Sequence, residues 1–248
     1  LNRLEPRQLH PRLTDQPALR AARDTGRPVL AFFCLDDEAA GDRADGGAAR
    51  VWLHGALASL GASLSAEGGT LHLAKGDTLA ALTHLIETTG AQAVFWTRRY
   101  EPWAVAQSKT IKAALEARAI KTASFNGQLL FEPWTVETKT GDPYKVYSPF
   151  RRAVEPRLEG MALSREAGPT HWHDGTQGLS LTDLTLLPKT PDWSTGIRSA
   201  WTFDQAAAFA NLEAFLSGPV QTYGEDRNRP DLIGTSRLSP YLAMGQIS

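Results

Sequence analysis

Short runs rich in β-branched and aromatic residues alternate with stretches of helical periodicity between about residues 16 and 125. The apolar runs read PVLAFFCL, TLHLAKG, AQAVFWTRR and IKTASFNGQLL, and each is short enough for a single strand. Between them, leucine, isoleucine and valine recur at the spacing of a helix with one apolar face. Strands and helices that alternate in this way predict a parallel sheet covered by helices. We therefore predict an α/β fold with a doubly wound, Rossmann-like sheet.

Turn and capping residues mark the ends of these elements. Pro17 indicates the first turn of a helix, with Thr14 or Asp15 as its N-cap. Asp77 predicts the cap of a later helix, and Gly90 leads from that helix into the next strand.

The strand and helix rhythm stops after residue 126. Residues 151 to 198 are irregular and contain scattered prolines and glycines, as is typical of a connector between domains. A helical apolar pattern resumes in TFDQAAAFANLEAFLSGPV. We predict an α/β domain over residues 1–126, a signature segment and connector over 127–198, and the start of an α-helical domain over 199–248. The chain ends before that last part could form a core of its own.

Charge and cysteine content narrow the classes of protein. The formal net charge is −1, so a nucleic-acid contact must come from a local basic patch. Cys34 is the single cysteine, which excludes a disulfide framework and favours a reducing compartment. The sequence has neither an apolar run long enough for a membrane span nor a secretory signal. We expect a cytoplasmic monomer that does not bind membranes. His171 and His173 lack a third ligand in a recognisable spacing, so no metal site is predicted.

The segment GTSRLSPYLAMGQIS, residues 234 to 248, combines a glycine and three hydroxyl side chains ahead of a helical pattern. A loop that enters a helix presents unpaired backbone N–H groups, to which Thr235, Ser236 and Ser239 can add donors. These groups suit a phosphate. An ordinary helix start, with Ser239 as N-cap and Pro240 in the first turn, explains the same residues, and the residues alone favour it.

Four segments resemble the DNA photolyase and cryptochrome family. The stretch FANLEAFLSGPVQTYGEDRNRPDLIGTSRLSPYLAMGQIS resembles the entry to the family's flavin-binding domain. RLTDQPALRAA, VFWTRRYEPWAVAQSKTIKAAL and LLFEPWTVETKTGDPYKVYSPFRRA are similar to earlier parts of the family pattern. The resemblance implies an antenna domain followed by a helical domain that binds flavin adenine dinucleotide (FAD). It implies a deoxyribodipyrimidine photolyase, which repairs cyclobutane pyrimidine dimers in UV-damaged DNA with light. The alternative is a cryptochrome-like blue-light photoreceptor without repair activity.

The resemblance also assigns residues. It implies that the FAD pyrophosphate binds against Thr235, Ser236, Arg237, Leu238 and Ser239, and that Tyr223 is a further flavin neighbour. The arginine that matches Arg227 contacts DNA. The family's dimer pocket and electron relay lie beyond residue 248, so no catalytic residue is assigned and the chain alone is expected to be inactive. Four tryptophans are interpreted as packing residues rather than as an electron relay: Trp96, Trp103, Trp134 and Trp193.

The sequence departs from the family pattern at two places. The apolar first strand of the family is replaced by LEPRQLHPRLTDQ, in which Pro6 and Pro11 cannot donate to a ladder, so we predict that the central first strand is missing. Relatives that bind a folate antenna carry an Asn-Glu pair where this chain has Trp103 and Ala104. A folate antenna is therefore not expected, and a deazaflavin is left open.

Overall fold

The computed structural model describes residues 5–6, 12–159, 161, 170–173 and 178–247. The strands within these residues are β1 (Glu5–Pro6), β2 (Ala31–Leu35), β3 (Leu71–Lys75), β4 (Ala93–Thr97) and β5 (Lys121–Phe125). The helices up to the last strand are α1 (Pro17–Arg23), α2 (Asp37–Ala40), α3 (Gly47–Ala66), α4 (Thr78–Thr89) and α5 (Pro102–Glu116). Those after it are α6 (Tyr147–Leu158), α7 (Thr195–Ala200), α8 (Gln205–Leu216), α9 (Tyr223–Asp226) and α10 (Ser239–Ala243). Every strand pairing is parallel, and the predicted α/β class is confirmed.

The prediction that the first strand is missing is wrong, because a two-residue strand lies where that strand belongs. β1 pairs with β2, with Glu5 opposite Phe33 and Pro6 opposite Cys34, and it also approaches β4. A proline removes only its own N–H donor, so the neighbouring residue can still join the ladder. Among the described residues the strands nevertheless form two hydrogen-bonded groups, β1-β2-β3 and β4-β5.

The two faces of the sheet are buried against different helices. Alternate residues of β2 point to opposite faces: Phe33 packs with Leu57 of α3, whereas Phe32 packs with Leu82 of α4. Burial on both faces is the expected environment of a doubly wound parallel sheet. Trp96 is buried as predicted. Trp134 and Trp193 are 57% and 49% exposed, but each ring packs on a neighbour, Trp134 beside Arg98 and Tyr100 and Trp193 against Gly47.

Helix ends follow local sequence in some places and tertiary contacts in others. The Asp77 carboxylate caps α4 by accepting from the N–H of Ala80, and Gly90 ends that helix in the left-handed region, as predicted. The predicted cap of α1 is wrong. The N-cap is Gln16, whose side-chain oxygen accepts from the N–H of Ala18 and whose amide donates to Thr97 at the end of β4.

The connector is more ordered than its composition indicates. It contains α6, with Pro156 inside the helix, which the prediction of an irregular stretch missed. Further along, the backbone of residues 171 and 173 bonds to both backbone groups of Val29, and the buried Trp172 indole donates to Glu67. Within the described ranges, no helix is long and apolar enough to cross a bilayer, and no three His, Cys, Asp or Glu side chains are grouped as metal ligands.

Candidate functional site

A close approach of backbone at Gly234 brings two segments of the candidate site together. Gly234 is buried, and a Cβ built on it would lie 2.6 Å from the Cβ of Asp226 and 2.8 Å from the carbonyl oxygen of Asp226. Only glycine permits this distance without displacing backbone. The contact holds residues 234–239, the 234–239 loop, against the turn that carries Tyr223 and Arg227.

The 234–239 loop carries three hydroxyl groups at or near its surface. Thr235 and Ser239 are exposed and Ser236 is half-buried. Arg237 between them has a φ of 54°, a left-handed conformation uncommon for a residue with a side chain. None of the three hydroxyls forms a hydrogen bond to a residue that the structure describes. Their donors are therefore available to a bound anion.

The interpretation of Ser239 as an ordinary helix cap is wrong. α10 begins at Ser239, and the residue in the N-cap position is Leu238, which has no side-chain oxygen. Leu238 instead packs its side chain against the core on the α3 side of the sheet. This apolar contact fixes the end of the loop, while the Ser239 hydroxyl stays exposed at the surface.

Two arginines place positive charge in this region, near the carboxylates of Glu225 and Asp226. The Arg237 guanidinium lies 4.2 Å from the centroid of the Trp201 ring, and the Arg227 guanidinium lies 5.9 Å from that of Tyr223. Neither arginine forms an ion pair with a described residue. Arg229 is different, because it donates two hydrogen bonds to the Asp231 carboxylate, and these lower the pKa of that carboxyl. The negative charge of Asp231 offsets the positive charge of Arg229. Tyr223 is 40% exposed, and its ring meets that of Phe215 edge-on at 5.7 Å.

The segment that follows the loop is anchored in the α/β core. Tyr241 is almost fully buried and donates its hydroxyl to the carbonyl of Thr202 at 2.7 Å. Gln246 is fully buried and accepts from the indole N–H of Trp52 in α3 at 2.7 Å. Sequence reasoning missed Trp52, Trp201 and Gln246, because the only available signal was apolar spacing, which does not indicate a partner.

A second candidate region lies at the carboxyl end of β2. A cavity of about 480 Å³ there is lined by Asp36, Asp77, Trp103 and Gln107 among others. The Asp36 carboxylate is already engaged, because it accepts from the N–H of Ala39, from Gln107 and from both the N–H and the hydroxyl of Thr78.

The two positions that bear on a folate antenna carry an indole and a methyl group. The Arg99 guanidinium covers the Trp103 ring, with its carbon 4.3 Å from the ring centroid. Ala104 is 1% exposed and carries only a methyl group. Neither side chain supplies an amide or a carboxylate.

Comparison with known proteins assigns the chain to a family. The sequence profile of the DNA photolyase family matches residues 10–170. The chain belongs to this family. A deoxyribodipyrimidine photo-lyase of Agrobacterium fabrum is 40% identical over an alignment of 241 positions, which covers 96% of this chain and 49% of that protein. Cryptochrome-1 of Arabidopsis thaliana is 31% identical over an alignment of 252 positions, which covers 96% of this chain and 35% of that protein.

Solved structures agree with the sequence comparison. The crystal structure of a bacterial class III photolyase from Agrobacterium tumefaciens has a TM-score of 0.86 to this chain at 38% identity. The match covers 96% of this chain and 49% of that one. This photolyase-family chain thus spans about half the length of the photolyase relatives that it matches.

Proposed function

We propose that this chain is part of a deoxyribodipyrimidine photolyase, which repairs cyclobutane pyrimidine dimers in UV-damaged DNA with light and FAD. The observation that carries the proposal is the 234–239 loop, whose three hydroxyls have no hydrogen-bond partner among the described residues. We also propose the division into an α/β antenna domain (1–126), a connector (127–198) and the start of an FAD-binding domain (199–248).

The residues of the loop suit a pyrophosphate. Thr235, Ser236 and Ser239 would donate hydroxyl groups to its oxygens, while Arg237 adds positive charge and Leu238 holds the loop to the core. Tyr223 would lie beside the cofactor. The chemistry that FAD would supply when bound and reduced is light-driven donation of an electron to the dimer, with return of the electron after the ring splits. The contribution of this chain is to hold and orient the pyrophosphate end.

The region around the loop leaves apolar surface uncovered. Ile233 is 81% exposed, Leu216 is 56% exposed and Leu242 is 50% exposed. A flavin dinucleotide needs its rings buried, and phosphate contacts in water are screened and do not offset the cost of ordering the ligand. We therefore expect the 248-residue chain to purify colourless, to bind FAD in the high micromolar to millimolar range at best, and to repair no dimers.

A titration of the chain with FAD, followed by the backbone amide signals of residues 234–239, tests the proposal. Wild-type protein should show saturable shifts centred on these residues. Thr235→Ala with Ser236→Ala should weaken binding by about tenfold, because each of the two lost hydrogen bonds contributes about 0.5 to 1 kcal/mol in a site exposed to water. Ser199→Ala is the control, since its exposed hydroxyl bonds only to Gly196 within its own helix. If the shifts occurred elsewhere, or if wild type, the double variant and Ser199→Ala bound FAD equally well, the loop would not be part of the cofactor site.

Contact with DNA distinguishes repair from the alternative of a cryptochrome-like photoreceptor. The exposed Arg227 guanidinium has no ion-pair partner among the described residues, which supports a phosphate contact. Binding of the chain to DNA that contains a pyrimidine dimer tests this role. Binding that depends on Arg227 favours photolyase, whereas no such dependence favours the photoreceptor.

Three further properties remain proposals. We propose an antenna chromophore other than a folate, with a deazaflavin left open, because Trp103 and Ala104 supply neither amide nor carboxylate. A monomer is expected, and light scattering of the purified chain would measure this. A cytoplasmic location is likewise a prediction, which imaging of the tagged protein in cells would check.

A further inference from the structure

Trp52 is the centre of an aromatic cluster that joins the α/β core to the C-terminal segment. It is 6% exposed, and its ring meets those of Phe203, Tyr241 and Trp201 edge-on at centroid distances of 4.9, 5.0 and 5.2 Å. Gly55, three residues further along α3, leaves room for the Phe203 ring, since a Cβ built there would lie 2.4 Å from it. Trp52 and Gly55 of α3 therefore form the surface on which the Phe203 and Tyr241 rings pack.

A buried amide gives the cluster a defined orientation. Gln246 accepts the Trp52 indole N–H through its oxygen at 2.7 Å and donates through its nitrogen to the carbonyl of Phe203 at 2.5 Å. If the amide rotated, its oxygen would face that carbonyl and both bonds would be lost. The indole N–H and the Phe203 carbonyl together determine which way the Gln246 amide points. A phenylalanine at position 52 would keep a ring but would deprive the buried Gln246 oxygen of this donor.

The cluster extends to the 234–239 loop without Trp52 itself contacting the loop in any described pair. The Trp201 ring packs edge-on against that of Trp52, and the Arg237 guanidinium carbon lies 4.2 Å from the centroid of the Trp201 ring. Tyr241, two residues after the loop, packs on Trp52 and is tied to Thr202. Both the middle and the downstream end of the loop consequently rest on groups that Trp52 holds in place.

We propose that Trp52 is a positioning residue for the 234–239 loop, so that a side chain of the α/β core sets the affinity of the phosphate site. The inference rests on the proposed function for its ligand, but its geometric part concerns the loop alone. Loss of the indole N–H removes one buried hydrogen bond, which is worth about 1 kcal/mol and corresponds to about a fivefold change in an equilibrium constant.

The test compares Trp52→Phe with Trp96→Phe in the 248-residue chain. Trp96 is the matched control, because it is 5% exposed and belongs to the core on the other face of the sheet. Three quantities are measured for each protein: thermal stability, the amide signals of residues 234–239 without ligand, and FAD affinity. Tyr241→Phe, which keeps the ring and removes the hydroxyl with its bond to Thr202, is a milder second variant if Trp52→Phe does not fold.

We expect Trp52→Phe to shift the loop amide signals and to weaken FAD binding by about fivefold. Trp96→Phe should lower stability and leave the loop signals and the FAD affinity unchanged. Tyr241→Phe should change both in the same direction and by less. Equal effects of the two tryptophan variants on the loop would overturn the inference. If wild-type protein binds no FAD, the proposed function fails, and the ligand-free loop signals still decide whether Trp52 positions the loop.

Discussion

Arg12 is a buried cation that ties three distant parts of the chain together. Its side chain is 3% exposed, and its guanidinium donates to the carbonyl of Gly245 at 2.8 Å, of Asp15 at 2.9 and 3.1 Å, and of Gly127 at 3.3 Å. Gly245 follows α10, Asp15 precedes α1 and Gly127 follows β5. The Asp15 carboxylate lies 3.9 Å from the guanidinium.

Replacement of Arg12 by methionine keeps most of the side-chain volume and removes every donor. Each hydrogen bond from a charged group contributes about 1.5 to 3 kcal/mol, and a buried acceptor left without a partner costs about 1 to 3 kcal/mol. Two short contacts, to Gly245 and Asp15, dominate, and the removal of a buried charge offsets part of the loss. We expect Arg12→Met to lower the free energy of unfolding by about 3 to 5 kcal/mol, a large share of the about 5 to 15 kcal/mol typical of a domain.

Urea unfolding followed by tryptophan fluorescence measures this loss. Arg12→Lys should lose somewhat less, because one ammonium group cannot reach carbonyls of three segments. Arg43→Met is the surface control, since Arg43 is exposed, and it should change stability by less than about 0.5 kcal/mol. A loss below about 1 kcal/mol for Arg12→Met would refute the reasoning, because it would mean that water replaces the guanidinium donors at no cost.

Three other predictions concern single contacts. Arg227→Ala should lower the slope of log K against log salt for DNA binding by about one unit without changing FAD affinity, and an unchanged slope would remove the phosphate contact. Gly234→Ala should lower the stability of the chain in urea by about 1 to 3 kcal/mol, because its Cβ would meet Asp226 at 2.6 Å; wild-type stability would contradict that packing. Burial, and then the hydrogen bond to Glu132, raise the pKa of Tyr100 to about 12. Because the unfolded pKa is 10.0, this stabilisation is complete below that pH and is lost as the pH rises towards 12, and an ultraviolet titration of the phenol that gave an ordinary pKa would contradict it.

The class of fold and several element ends could be predicted from the sequence because their causes are local. The strand PVLAFFCL became β2, with five consecutive buried residues, and its neighbours in sequence supplied the helices that cover it. Asp77 caps α4 with an N–H only three residues away. Contacts of this length depend on a few adjacent residues and are therefore visible in a short window of sequence.

The candidate site was predicted only in part. The hydroxyl residues and Arg227 followed from a contiguous motif and its resemblance to a family. The helix cap at Gln16, by contrast, depends on Thr97, and the short strand β1 depends on its pairing with β2, so local propensity led to the wrong expectation at both places.

The sequence by itself determined an α/β chain with a polar, hydroxyl-rich loop near its end. The tertiary structure alone decided what holds that loop: Gly234 against Asp226, Arg12 on Gly245, and the bond between Trp52 and Gln246, which are 194 positions apart. A buried hydrogen bond needs both partners desolvated at one distance and angle, and apolar periodicity fixes only that each residue faces inward. Which inward-facing residues meet is set by how the whole chain packs, and so the partners appear only in the folded molecule.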